Sequence, residues 1–368
     1  MTAGKPKRKM AARKVKDPNL VVTTLRYRLK DASKLNLLDQ LARSVNFVWN
    51  YCNETSFNAI RNHSKWLSAI DLKNLTSGSA KELAISSVTV QAICEEYVIR
   101  RVQFKKRKLR WRASSGSKKA LGWIPFKANS IQIRGDRAVY MGHEFRLWLS
   151  RPAEGRILSG SFSQDARGQW YVNLACEVAK LDHKHQVEEV GIDLGLKTPA
   201  VLSDGTVIEN QAQFKKLEEK LGKAQRARKK RQAKKIHAKI KNKRRDFLHK
   251  KTTQIAKNYH TIYIGDVSGK FVQSGNGKSS TDASIGIIRD LLKYKAFRHS
   301  GNCFEVSENS STVTCSNCQK KTGPSGLSGL GVREWTCSEC CAHHDRDVNA
   351  ARNILRFGRE SLRAAKVA

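Results

Sequence analysis

Two cysteine pairs, Cys315-x-x-Cys318 and Cys337-x-x-Cys340, stand 18 residues apart in this 368-residue chain. Their spacing fixes a chemistry more narrowly than any other pattern here. Two such knuckles reach one tetrahedral Zn²⁺ with four thiolates, and a closed four-sulfur site holds a fold together without leaving a position for hydrolysis. Cys341 is a spare beside Cys340, and the regular spacing favours Cys340 as the ligand. His343 and His344 then read as neighbours of the sulfurs or as nucleic-acid contacts rather than catalytic ligands. Cys52, Cys94, Cys176 and Cys303 fall in apolar patterns and read as small core residues.

Carboxylates offer a second chemistry. Cutting a phosphodiester generally takes acids that hold hard divalent ions, which activate water and neutralise developing charge. Asp193 stands in VGIDLG, where Val190, Ile192 and Leu194 would face a core and Gly191 would leave room for a ligand. Asp345 and Asp347 open the helical stretch in HHDRDVNAARNIL, where aspartate is also an ordinary cap. A third run, TIYIGDVSGK, has strand character and stops at Gly265-Asp266.

The chain that positions these residues carries 70 Lys+Arg against 32 Asp+Glu, a net charge of +38. Such a surface repels itself unless a polyanion is present, so nucleic acid is the leading partner. The start, MTAGKPKRKMAARKVKD, lacks the apolar middle of a secretory signal, and the expectation is a cytoplasmic, nucleoid-associated protein. NLVVTTLRYRL reads as a strand, and LNLLDQLARSVNFVWNYCNE as a helix with Leu38, Leu41, Val45, Val48 and Cys52 on one face. A helix over about 86–107 runs into the basic linker KRKLRWRASSGSKKA. Short strands follow from 122 to 180, with Trp170, Val172, Leu174, Cys176 and Val178 on the buried side of one of them. The strand near 21–30 should join that β unit, with the helices inserted between. From 215 to 250 there are 17 Lys/Arg and three acids, which predicts one long helix or two antiparallel ones with a cationic face. Like charges at i,i+4 destabilise such a helix without a counter-anion. A helix near 282–297, capped at Thr281 or Asp282, a strand NCFEVSEN and a short final helix DVNAARNILRFG complete the reading.

The order of GIDLGLKTPAVLSDG, RRDFLHKKTTQIA, YIGDVSG and TCSNC through REWTCSECCAHHDRDVNAARNIL resembles the TnpB proteins of bacterial insertion sequences, relatives of compact single-protein CRISPR nucleases. The resemblance covers about 155–357 and extends more weakly through GWIPFKANSIQI. It implies a multidomain α/β and α+β protein: an RNase H-like RuvC core with an inserted zinc ribbon, and an N-terminal β-barrel interrupted by a helical recognition part. The corresponding boundaries are a basic tail 1–18, a β-barrel 19–32 and 120–183, helices 33–119, a RuvC-like core 184–313 with basic helices 212–258, a zinc ribbon 314–343, a last motif 344–358 and a tail 359–368. The activity implied is RNA-guided, Mg²⁺-dependent cleavage of double-stranded DNA beside a short flanking motif, with a guide RNA as partner. The first and third acids of that family map onto Asp193 and Asp347, with Asp345 as the fallback.

The family's second acid, a glutamate, falls on Gly265. Asp266, one position on, points to the opposite face of a regular strand. Glu308 follows Phe304 and Val306 on one face of the next strand, Glu305 facing away, and some TnpB-like proteins carry a glutamate relocated in this manner. The expectation is therefore a two-Mg²⁺ site of Asp193, Glu308 and Asp347. The alternatives are an RNA-guided DNA-binding repressor that does not cut and a transposase acting on transposon ends without RNA. Phosphate contacts are expected from Lys105, Lys106, Arg107, Arg110 and Arg112, and from Arg226, Lys229, Lys230, Lys234, Lys241, Arg244 and Arg245. Trp111, Trp123 and Trp170 are candidates for base stacking, with burial the better reading for Trp170.

Overall fold

Alternation in LVVTTLRYRL dictates a strand with one buried face, and β1 (Leu20–Leu29) has it, with Val21, Leu25, Tyr27 and Leu29 inside. The computed structural model describes residues 17–31, 33–195, 198–266, 284–326 and 328–367. Most of the basic tail and the expected caps Thr281 and Asp282 lie outside the described residues.

β1 pairs with β7 (Trp170–Ala179) along nearly its whole length and with β5 (His143–Trp148) at its end. With β2 (Trp123–Lys127), β3 (Ile131–Arg134), β4 (Arg137–Tyr140) and β6 (Arg156–Gln164) they form a seven-stranded sheet, ordered β2-β6-β7-β1-β5-β4-β3. The two outer strands, β2 and β3, are consecutive in the chain and separated only by the 3-10 turn Ala128–Ser130, so the sheet curls toward a barrel.

Between β1 and β2 lie α1 (Leu35–His63), α2 (Ala69–Leu75), α3 (Ser79–Glu82) and α4 (Ser87–Gln103). They share one core with the sheet: Leu38, Val45, Ile93 and Tyr97 join Ile124, Phe126, Tyr140 and Phe162. The basic stretch after α4 is not the free linker that its composition predicts. Asn46, Asn50 and Asn53 form a buried row on α1. Asn53 exchanges two hydrogen bonds of 2.8 Å with the Leu109 backbone, and Asn50 exchanges two of 2.9 and 3.0 Å with that of Arg112. Buried amides require partners, and here they find them by holding an extended segment as a neighbouring strand would.

A second sheet is ordered β10-β9-β8-β11-β12, from β8 (Val187–Asp193), β9 (Ala200–Leu202), β10 (Val207–Ile208), β11 (Tyr259–Gly265) and β12 (Asn302–Val306). β8, β11 and β12 run parallel, and parallel strands are covered on both faces. On one side Val190, Ile192, Ile262 and Ile264 pack with Ile255 of α6 (Lys230–Asn258) and with Ile288 and Leu292 of α7 (Ile285–Arg298). On the other lies α8 (Arg346–Val367).

α8 approaches closely. A Cβ on Gly191 would stand 2.1 Å from the Ala351 carbonyl oxygen, and one on Gly358 would stand 2.1 Å from the Tyr263 ring. Gly191 therefore makes room for a helix backbone, not for a ligand. α8 also runs on to Val367 where the sequence reading ends the helix at 358, and Arg359 within it pairs with Glu189 of β8.

The cationic stretch is two helices, α5 (Gln213–Arg226) and α6, broken at residues 227–229 and packed through Leu221, Ala224 and Ile240. A small hairpin of β13 (Glu334–Thr336) and β14 (His343–Asp345) carries Cys337 and Cys340 in its loop and leads directly into α8, while Cys315 and Cys318 come from the segment before it. Among the described residues no helix is long and apolar enough to cross a membrane.

Candidate active site

Asp193 and Glu308 lie at the carboxyl end of the parallel sheet, and Asp347 lies in the first turn of the helix packed across it. Asp193 closes β8, two residues beyond Gly191, while the alternate residues Val190, Ile192 and Leu194 are buried in the opposite core. Burial, then the Asp347 charge, then the Glu308 charge push the Asp193 carboxyl up to about 7, with Arg346 opposing. That coupling brings together the end of one strand, the turn after another and the start of the last helix.

Asp345 and Asp347 have separate tasks. The Asp345 carboxylate accepts the Asp347 and Val348 amides at 2.9 and 2.8 Å, which makes it the helix cap. Asp347, in the first turn, turns both carboxylate oxygens toward the Arg333 guanidinium at 3.3 Å. Arg333 lies just before β13, so the cysteine hairpin touches the acid site through it. Sequence reasoning passed over Arg333, and among 70 lysines and arginines no local signal distinguishes it.

Glu308 lies two residues past β12, in a turn rather than in the strand. Gly265 sits opposite Val306 in the ladder. A Cβ built on Gly265 would lie 2.8 Å from Glu308 Oε2 and 3.2 Å from Ile354 Cδ1, so the Glu308 carboxylate occupies the space that a side chain at 265 would use. Burial, and then the Asp266 charge, raise the Glu308 carboxyl above its ordinary value, and Arg289 opposes them. Glu305 points the other way, to Arg289 and Lys293 of α7 at 3.3 and 2.8 Å.

The cysteines are gathered more tightly. Sγ atoms of Cys315, Cys318, Cys337 and Cys340 all lie within 4.8 Å of one another, and the described residues hold no comparable gathering of the three acids. Cys315–Cys340 and Cys318–Cys337 are each 3.6 Å apart, close to the ~3.8 Å edge of a tetrahedron with bonds of about 2.3 Å to zinc. The quartet thus fits zinc. Buried His344 places Nε2 3.0 Å from Cys315 Sγ and packs its ring on Trp335, while exposed His343 meets Thr336 Oγ1. Cys341 is exposed and apart from the quartet.

The expected phosphate contacts divide. Lys105, Lys106, Arg107 and Arg110 are exposed on the segment held by the asparagines, and Arg226, Lys229, Lys230, Lys234, Lys241 and Arg245 are exposed on and between α5 and α6, with Arg244 half-buried. Arg112 is not available: its guanidinium donates to Asn46 Oδ1 at 2.7 Å and to the Leu121 carbonyl at 2.9 Å, over the Trp123 ring. Burial lowers its pKa accordingly. Trp123 packs edge-on to Trp49 and Trp170 is buried, which leaves Trp111 as the exposed ring of the three. Cys303 is partly rather than fully buried.

Residues 173–270 match the OrfB_IS605 family, described as a probable transposase, and residues 286–354 match a family described as Cas12f1-like, TNB domain. A Streptomyces pristinaespiralis protein named "Putative RNA-guided DNA endonuclease" is 35% identical over 212 residues, 53% of this chain and 52% of its own length. The Escherichia coli (strain K12) protein "Putative RNA-guided DNA endonuclease InsQ" is 30% identical over 243 residues, 58% of this chain and 60% of its own. The chain therefore spans only 52% and 60% of these two relatives. In three dimensions it is similar to the protein in "Cryo-EM structure of the Cas12f1-sgRNA-target DNA complex", with a TM-score of 0.59 at 12% identity, over 91% of this chain and 99% of that one, a likeness of fold. The resemblance to TnpB proteins read from the sequence is borne out by the family matches and these relatives.

Proposed function

We propose that the chain is an RNA-guided DNA endonuclease of the TnpB type that cuts phosphodiesters at Asp193, Glu308 and Asp347. The observation that carries this reading is geometric: Asp193 closes β8, Glu308 lies two residues past β12 against Gly265, and Asp347 is in the first turn of α8, whose Ala351 carbonyl rests on Gly191. The Asp347 and Glu308 charges both act on the Asp193 carboxyl. Parallel β8, β11 and β12 with antiparallel β9 and β10, flanked by helices, support an RNase H-like RuvC core, and the cysteine hairpin before α8 supports a zinc ribbon.

Two acids whose charges both act on a third carboxyl suit hard cations, and a pair of ions about 3.5–4 Å apart is what such a set of donors would hold. Bound Mg²⁺ would supply an activated water and charge neutralisation at the leaving oxygen. The chain's own part is to fix the donors. The turn after β12 sets Glu308, the Asp345 cap sets the first turn bearing Asp347, and α8 packed on Gly191 leaves Asp193 only partly open to solvent. Exposed cations on α5, α6 and residues 105–110 would hold the RNA scaffold and heteroduplex through phosphates, while base pairing selects the target and the protein reads a short flanking motif.

Gly265 favours a second reading, an RNA-guided DNA-binding protein that does not cut, because the strand end itself carries no acid. Sequencing the RNA that copurifies, then challenging the complex with a library bearing the matching target, tests both. Mg²⁺-dependent products that vanish in Glu308→Gln support the nuclease; target binding without products supports the repressor. Absence of a discrete RNA, with activity on transposon ends, would instead indicate a transposase.

A further inference from the structure

The β11–β12 ladder pairs Ile264 with Glu305 and Gly265 with Val306, so Asp266 stands opposite Ser307. A regular parallel ladder continues by two bonds at such a step. The first is present: the Asp266 amide donates to the Val306 carbonyl at 2.9 Å. In the second, the Glu308 amide would donate to the Asp266 backbone carbonyl. It donates instead to the Asp266 carboxylate, Oδ1 at 3.2 Å. The side chain stands in for its own backbone, so the strand can end while residue 308 stays fastened to it. On the far side, the Ser311 amide donates to the Glu308 carbonyl at 3.0 Å, and residue 308 is held at both backbone groups.

From there the Glu308 side chain reaches over Gly265. A Cβ at 265 would meet Glu308 Oε2 at 2.8 Å, closer than such contacts occur, with buried Ile354 at 3.2 Å on the other side. We infer that Asp266 is a positioning residue for Glu308, and that positions 265 and 308 form one seat that accommodates a single acid from either strand. Asp266 is thereby a tether and not a further metal ligand. The inference rests on the nuclease reading for its activity arm only.

The test uses the complete chain with its RNA and five variants: Asp266→Ala, Asp266→Asn, Gly265→Glu, Glu308→Ala and the pair G265E/E308A. Guide-dependent cutting is measured against Mg²⁺ concentration, with target-DNA affinity and the Mg²⁺-induced shift in melting temperature as readouts that do not require cutting. Asp266→Ala should lower cutting roughly tenfold to a hundredfold, raise the Mg²⁺ needed and shrink the Mg²⁺ melting shift, with target affinity unchanged. Asp266→Asn retains the acceptor oxygen and should restore most of the loss. Gly265→Glu should cut poorly, and the double variant should cut better than Gly265→Glu or Glu308→Ala alone.

An Asp266→Ala protein with wild-type Mg²⁺ dependence would overturn the tether, as would an asparagine variant as impaired as alanine. A Gly265→Glu protein as active as the parent would overturn the shared seat. If the parent binds target but cuts nothing, the nuclease reading fails by itself, and the Mg²⁺ melting shifts of the parent and the two Asp266 variants still decide the tether. Should Asp266→Ala not fold, Asp266→Leu, which keeps the side-chain volume and removes the acceptor, takes its place in the same assays, and the variants at 265 and 308 decide the seat.

Discussion

The four cysteines come from one short stretch of chain and the three acids from distant ones, and the two groups are assembled on different principles. The sulfurs are already at near-ligand spacing, because thiols can be protonated and packed without mutual repulsion and because a 26-residue stretch supplies all four. The acids come from positions 193, 308 and 347 and repel one another, and the protein answers with separation, with Arg333 against Asp347 and with an Asp193 carboxyl pushed to about 7. Thiols can be gathered in advance of a metal, whereas carboxylates that repel one another stay apart when no cation is present.

The strongest way to break this contrast is through the sulfurs. Cys337→Ser should remove one zinc per chain by elemental analysis and unfold the β13–β14 hairpin, since structural zinc contributes on the order of 10 kcal/mol to such small units. Because Arg333 and the start of α8 hang from that hairpin, DNA cutting should fall with it. Zinc retained at full stoichiometry in that variant would dissolve the contrast.

Next in size is the catalytic loss. Glu308→Gln should reduce guide-dependent cutting by about a thousandfold or more while leaving zinc content and target binding intact. A variant that cuts at the parental rate would leave two acids and no site.

Asp193→Asn sharpens the comparison without reference to cutting. A carboxyl raised from 3.8 to about 7 in the folded chain is ionised more readily in the unfolded one, so it costs stability as pH rises above 3.8, and fully so above about 7. In metal-free protein the asparagine should therefore stabilise by on the order of 1–3 kcal/mol at pH 8, with the gain fading as pH falls toward 4. Thermal melts at several pH values, with and without Mg²⁺, give the answer; a gain that is flat with pH would mean that folding does not raise the Asp193 carboxyl. The smallest effect separates surface from scaffold. Lys106→Ala should lower the salt slope of nucleic-acid binding by about 1, whereas Arg112→Ala should leave the slope alone and cost about 1–3 kcal/mol of stability through the amides and carbonyl it abandons.

Much of this was legible in the residues. Cysteine spacing named the quartet, and alternation named β1 and β7. The unread part has a common cause: it depends on contacts between segments far apart in sequence. That Arg112 is locked by Asn46, that Gly191 admits a helix and that Asp345 rather than Asp347 caps α8 are facts of packing or hydrogen bonding, for which residue type leaves two readings equally open. The tether at Asp266 is of the same kind, since a regular strand predicts that its side chain turns away.

Gly191 and Gly358 carry one more implication. Asp193 lies two residues past the first, and Asp347 lies one helical turn before Ala351, whose carbonyl rests against it. The distance between the two backbones that carry these carboxylates is consequently gauged at Gly191 by main chain seated on main chain, a hard stop. A methyl group added at either glycine would act as a shim, lifting the helix and spoiling the fit for any pair of ions without removing a single charged group.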